Sequence, residues 1–147
     1  MIYMLDSDIM IFMVRGLKSS TRQRARRDKA MAIVDRCRQA QADGDTIAVS
    51  AITVSELEFG ARNSDDYEAE IAAVRKLLAP FDVLDYDGVN CPPQYGRIRD
   101  ELEQLGQTIG AMDLLIAAQA IALSATLVTN NIGHYRRISG MAVEQWP

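Results

Sequence analysis

Apolar positions in this chain alternate between short blocks suited to buried strands and longer stripes spaced for helices. Ile2–Leu5 is a short apolar run ending at Asp6, which predicts a buried strand. Asp6 or Ser7 can cap a helix that runs through Ile9, Phe12 and Met13 until Gly16. Ser19 or Ser20 opens a second helix with Ala30, Ile33, Val34 and Cys37 as its inner stripe, and Asp43-Gly44-Asp45 closes it. Thr46–Val49 is the second predicted strand, and Ser50 caps a third helix carrying Val54, Leu57 and Ala61. Asn63-Ser64-Asp65 separates this from a fourth helix, where Tyr67, Ile71, Val74 and Leu78 recur before Pro80.

The second half repeats the alternation. Phe81–Tyr86 is the third predicted strand, and Pro92-Pro93 fits the first turn of a fifth helix. Its stripe is Tyr95, Ile98, Leu102 and Leu105, with Gly106 placed to end it and Arg97–Glu101 and Arg99–Glu103 as supporting pairs. Leu114–Leu123 is apolar nearly all round and predicts a buried helix. Thr126–Thr129 and Ala142–Trp146 are the last two predicted strands. Strands alternating with helices imply an α/β fold, a central mainly parallel sheet of about five strands with helices on both faces. Ligands of such sheets gather at the carboxyl ends of the strands.

The 147 residues carry no repeat, low-complexity segment or linker, so one domain over 1–147 is expected. A hydrophobic content of 48% with 24% charged residues is that of a soluble globular domain. No apolar run has the length of a membrane span. Met1–Asp6 lacks the basic region of a secretory signal, and Cys37 and Cys91 are the only cysteines. A disulfide framework and a structural zinc are therefore not expected, and a reducing cytoplasm is the expected location. The net charge of −4 hides an asymmetry: nine of the sixteen Lys and Arg residues lie between Arg15 and Arg38. Arg22, Arg24, Arg26 and Arg27 form its densest part, which suits either a local polyanion contact or a solvated helix face.

Several acids fall where the sheet rule looks. Asp6 follows the first strand with Ser7 and Asp8 beside it, Glu56 lies in the helix after the second, and Asp113 opens the buried helix before the fourth. Thr129, Asn130 and Asn131 follow that fourth strand. Carboxylates brought together repel unless a cation sits between them, and Mg²⁺ or Mn²⁺ suits such hard oxygen ligands. Each residue also has a structural role open to it. Asp6 and Asp113 can be helix caps, and Asp8 can complement a helix N-terminus. Glu56 completes a capping-box pattern with Thr53, and Asn130 and Asn131 can be turn residues.

Met4-Leu5-Asp6-Ser7-Asp8-Ile9, an apolar run followed by Asp-Ser, resembles the opening apolar run and Asp-Thr of PIN-domain nucleases of the VapC toxin type. Ser50-Ala51-Ile52-Thr53-Val54-Ser55-Glu56-Leu57-Glu58-Phe59-Gly60 resembles that family's second segment, S-x-x-T-x-x-E-L-x-x-G. Ile109–Ala118 resembles the third, with Asp113 before L-x-I-A-A, and Thr129-Asn130-Asn131 with His134-Tyr135 resembles the fourth, T-x-N-x-x-x-F. Order and gaps agree over essentially the whole chain; the second and third segments are the specific ones.

The resemblance implies a PIN-like three-layer sandwich, Mg²⁺-dependent cleavage of RNA (Mn²⁺ as the substitute), and homodimers. It also implies a VapB-type antitoxin that blocks the nuclease in a higher assembly. Carried over by position, Asp6, Glu56 and Asp113 are the metal-holding, catalytic acids, supported by Thr129, Asn131, Asp8 and Ser7. Arg22, Arg24, Arg26, Arg27 and His134, the chain's one histidine, are candidate RNA contacts. Ser7 in place of threonine keeps the hydroxyl. Ala111 stands where proline is common, and the neutral Asn131 favours one tightly held ion over two.

Three rivals are weaker. Asp6-Ser7-Asp8 mimics the nucleophile pair of haloacid-dehalogenase-like phosphatases, but no lysine and only Glu144 follow Thr129. A non-catalytic RNA- or protein-binding module would have no use for the acids. A PIN ribonuclease outside any toxin–antitoxin pair is separated by whether an antitoxin gene adjoins this one.

Overall fold

Alternation along the first strand decides how the molecule is layered. In a computed structural model that describes residues 1–146, β1 is Ile2–Leu5. Tyr3 and Leu5 point into one core and Met4 into the other. The remaining strands are β2 (Thr46–Ser50), β3 (Asp82–Leu84), β4 (Thr126–Val128) and β5 (Ala142–Glu144). All pairings are parallel, in the order β3-β2-β1-β4-β5. The helices are α1 (Ser7–Leu17), α2 (Arg24–Ala42), α3 (Ala51–Arg62), α4 (Tyr67–Leu78), α5 (Cys91–Gln104), α6 (Ala111–Ala122) and α7 (Ile132–Tyr135).

Residues of α1 to α4 pack on the Tyr3–Leu5 face, among them Ile9, Met13, Ile33, Leu57 and Ile71. Residues of α5 to α7 pack on the Met4 face, led by Ile98, Leu102, Ile116 and Tyr135. The result is a three-layer α/β sandwich. Leu5 is level with Val49 on one side and Val128 on the other. The next residues of the three strands, Asp6, Ser50 and Thr129, therefore share one rim. The chain builds outward from β1 through β2 to β3, then crosses back to β4, so Asp6 and Thr129 flank the sheet's switch point.

Several boundaries differ from the sequence reading for identifiable reasons. β3 covers Asp82–Leu84 rather than Phe81–Tyr86. Gln119 Nε2 donates to the carbonyls of Leu84 and Asp85 (3.1 and 3.0 Å), so a side chain takes over where a longer ladder would run. Leu105, assigned to the inner stripe of α5, is instead the exposed C-cap residue. Gly106 follows with φ +66°, the left-handed conformation that closes helices. α2 begins at Arg24, after a 3-10 turn at Thr21–Gln23, and Ser19 Oγ donates back to the Arg15 carbonyl (3.1 Å) rather than capping forward. Arg97–Glu101 and Arg99–Glu103 form ion pairs at 3.1 and 3.0 Å. Cys37 and Cys91 are free and buried. No helix among the described residues is long and apolar enough to cross a membrane.

Gly16 has a different role from the helix terminator expected of it. α1 continues to Leu17, and Gly16 lies where α1 crosses α2. A Cβ there would stand 2.5 Å from Ala30 Cβ and 3.2 Å from the Arg26 carbonyl oxygen. Gly16→Ala is expected to destabilise the fold by about 1–3 kcal/mol through overpacking, despite alanine's better helix propensity. Urea denaturation reads the effect, and an unchanged or raised midpoint would show that the crossing can relax.

Candidate active site

The rim at the switch point is assembled from four separate segments. Asp6, at the junction of β1 and α1, is 3% exposed. Its Oδ1 accepts from the Ser7 amide (2.8 Å) and its Oδ2 from Thr129 Oγ1 (2.9 Å). Asp8 reaches the same hydroxyl, with oxygens 3.4 and 3.5 Å away. Thr129 Oγ1 in turn accepts from the Asn131 amide at 2.9 Å, which fixes the loop after β4.

Ser7 joins α1 to α3: its Oγ donates to Glu56 Oε1 at 2.9 Å and lies 2.9 Å from Thr53 Oγ1. No capping box forms, because α3 starts at Ala51 and Ser50 Oγ caps it, accepting from the Ile52 amide at 3.1 Å. Thr53 is thus already inside the helix, and the Glu56 carboxylate is free to face Ser7. Asp113 is likewise released from capping. α6 starts at Ala111 with Gly110 as its cap residue, which leaves Asp113 in the first turn where the helix dipole favours a negative charge. Asp113 Oδ2 lies 4.0 Å from His134 Nδ1, which also contacts Asn131 Nδ2 at 2.9 Å. His134 is about half exposed, at 44% of its side chain.

Asp8 and, more weakly, Asp113 act on Asp6 through their charge, and Ser7 links Asp6 to Glu56. The four arginines are not drawn in. Arg22, Arg24, Arg26 and Arg27 are exposed around the start of α2, beyond the far end of α1, and none joins an ion pair among the described residues. Two residues near the acids had no functional role assigned from sequence. Thr53 was noted only as a capping partner, and Tyr135 only as the aromatic of the fourth segment. Tyr135 is buried, and its hydroxyl has no hydrogen-bond partner of normal geometry among the described residues. The signal for both is position alone, since a threonine in a helix and an aromatic in a core are ordinary.

Electrostatics single out Asp6. Burial, then the charge of Asp8, and to a smaller extent that of Asp113, raise its pKa from 3.8 to about 7, against the lowering effect of the Thr129 and Ser7 hydrogen bonds. A carboxylate that ionises reluctantly among other acids is one that a cation would stabilise. Among the described residues no three Asp, Glu, His or Cys side chains close tightly enough to enclose an ion by themselves. Mg²⁺ keeps several waters and is usually held by one or two carboxylates, so it does not require such a group. The all-oxygen donor set and the unpartnered Tyr135 hydroxyl fit a small hydrated cation.

Comparison with known proteins agrees with this architecture. The PIN domain family model matches residues 3–140. Ribonuclease VapC2 of Rickettsia felis is 36% identical over 146 residues, covering 99% of this chain and 98% of that protein. The tRNA(fMet)-specific endonuclease VapC of Shigella flexneri is 30% identical over 144 residues, covering 98% of this chain and 97% of that one. The crystal structure of VapBC2 from Rickettsia felis bound to a DNA fragment from its promoter contains a chain that superposes with a TM-score of 0.86 at 35% identity, each chain fully covered.

The Asp6 environment has a measurable consequence. Its pKa is about 7 in the folded chain against 3.8 as the ordinary value, so between these limits the folded state holds a proton that the unfolded state releases. Metal-free protein is therefore expected to lose stability as pH rises from about 4 to about 7, by on the order of 2–4 kcal/mol, and to level off above. Asp6→Asn removes that slope. Melting curves in chelator across this range read the difference, and parallel profiles for the two proteins would mean that Asp6 ionises normally.

Proposed function

The chain belongs to the PIN-domain family, and from that premise we propose that it is a divalent-metal-dependent endoribonuclease, a toxin of the VapC type. The carrying observation is the buried Asp6 carboxylate at the switch point, oriented by Thr129 and Ser7 and crowded by Asp8 and Asp113. Asp6 and Asp113 would hold Mg²⁺, or Mn²⁺ in its place, and Glu56 would complete the site directly or through water. A bound cation would offset charge on the phosphoryl oxygens and lower the pKa of an attacking water. Glu56 accepts the proton of the attacking water, and its bond to Ser7 sets the carboxylate's direction. Thr129 and the Ser7 amide keep Asp6 in place, and Asp8 adds negative charge beside it. The neutral Asn131 contributes no charge, which favours a single ion.

RNA reaches this rim as a polyanion, so cations outside the acidic centre are needed to hold it. His134, whose Nδ1 lies 4.0 Å from Asp113 Oδ2, is a candidate contact for an RNA phosphate. Arg22, Arg24, Arg26 and Arg27, exposed and without acidic partners among the described residues, supply backbone contacts that position RNA without reading its sequence. Relatives of the same length and fold occur in VapBC complexes, which supports a VapB-type antitoxin as this chain's partner. A homodimer, and a larger assembly with the antitoxin in the cytoplasm, complete the reading.

Asp6→Asn and Asp113→Asn are each expected to lower RNA cleavage at least about a hundredfold while the melting transition is retained. A chelator should stop the wild-type reaction, and Mg²⁺ or Mn²⁺ should restore it. tRNA(fMet), taken from the name of the Shigella relative, is the first substrate to try. Undiminished cleavage by both variants would reject the assignment. Replacing Arg22, Arg24, Arg26 and Arg27 together by Gln is expected to weaken RNA binding across sequences and to flatten its salt dependence by about one unit of log–log slope per lost contact. An unchanged slope would remove the basic segment from the RNA path.

A further inference from the structure

Tyr135, the last residue of α7, is 1% exposed and packs in the same core as Met4, Leu114 and Leu127. Phenylalanine would serve that packing equally well. The hydroxyl nevertheless lies buried with no hydrogen-bond partner of normal geometry among the described residues, a condition that costs about 1–3 kcal/mol unless something fills the gap. Its surroundings say what kind of species that is. Tyr135 packs with Met4 and Leu114, which are close in sequence to Asp6 and Asp113, and directly follows His134, whose Nδ1 lies 4.0 Å from Asp113 Oδ2. The Asp6 and Asp113 carboxylates are both near enough to draw on the phenol's proton, yet neither completes a hydrogen bond of normal length and angle with it. Asn130, on the same segment, carries a second buried orphan, its Oδ1 acceptor. Polar groups stranded in this way are characteristically satisfied by ordered water.

We propose that Tyr135 is a positioning residue of the acidic centre: its hydroxyl donates to an ordered water shared with the Asp6 and Asp113 carboxylates, and that water belongs to the hydration shell of the bound divalent cation. The inference rests on the metal-dependent reading above. Without the cation, the hydroxyl is a burden on the fold. With it, the hydroxyl orients a water that the carboxylates, being acceptors, can only receive hydrogen bonds from. The role is outside the cation's direct ligands, and it acts on affinity and water order rather than on the fold.

The test compares wild type with Tyr135→Phe, which removes one oxygen and keeps the ring. In chelator the variant is expected to melt at the same temperature or higher, since an unsatisfied group has gone. Mn²⁺ binding, followed through the electron paramagnetic resonance signal of free Mn²⁺, is expected to weaken about three- to tenfold, the range of one lost hydrogen bond. The melting increment conferred by Mn²⁺ should shrink to match. Equal Mn²⁺ affinity in the two proteins, or a variant destabilised in chelator, would overturn the inference while leaving the metal reading intact. Absence of Mn²⁺ binding by wild type would sink the metal reading and this inference with it. Wild type that binds Mn²⁺ but cuts no RNA, with affinity still reduced in the variant, would uphold Tyr135's role and reject only the nuclease.

Discussion

The register of three parallel strands is the constraint from which the candidate site follows. Because Leu5 is level with both Val49 and Val128, Asp6, Ser50 and Thr129 emerge side by side at one edge. The Asp6 amide is taken by the Val128 carbonyl at 2.9 Å, extending the sheet's bonding just into the site. A slip of one residue would turn Asp6 away and bury a different set of side chains in both cores. Such a slip is opposed by the whole apolar content of β1, which is buried on both faces. The same packing that stabilises the sheet therefore holds a carboxylate in a poorly solvated place where it resists ionising alone.

Helix caps explain how the other acids remain available. An acid at the start of a helix is normally occupied by backbone amides. Here Ser50 caps α3 and Gly110 stands at the cap of α6, so Glu56 and Asp113 keep free carboxylates. Asp6 is the exception, bound to the Ser7 amide through one oxygen, and its other oxygen is held by Thr129. Ser7 connects this group to Glu56 across α1 and α3. The hydrogen-bonded part of the centre thus joins the end of β1, the start of α1, the first half of α3 and the loop after β4, so the register of the sheet sets its geometry.

Charge is divided in the same way. The acids sit on the rim, and the densest cationic run sits around the start of α2, held off by the length of α1. Had the two met, arginines would neutralise the acids and leave little to attract a metal ion. Separation lets each keep its own polyanion or cation partner. Gly16 permits the close α1–α2 approach that fixes the basic segment in place.

Much of this was legible in the residues themselves. The α/β alternation, the order of all five strands along the chain and the positions of Asp6, Glu56 and Asp113 after strands or at a helix start follow from hydrophobic period and turn chemistry, which are local properties. Ser50 as a cap and Gly106 as a terminator were equally local and occur as read. The lateral order of the strands, the meeting of Thr129 with Asp6 over 123 positions, and the release of Glu56 from its apparent capping box were decided only by tertiary packing. So was the isolation of the Tyr135 hydroxyl, because an unmet hydrogen bond depends on what surrounds a group in space, and a phenol in an apolar stripe looks the same along the chain whether or not it has a partner.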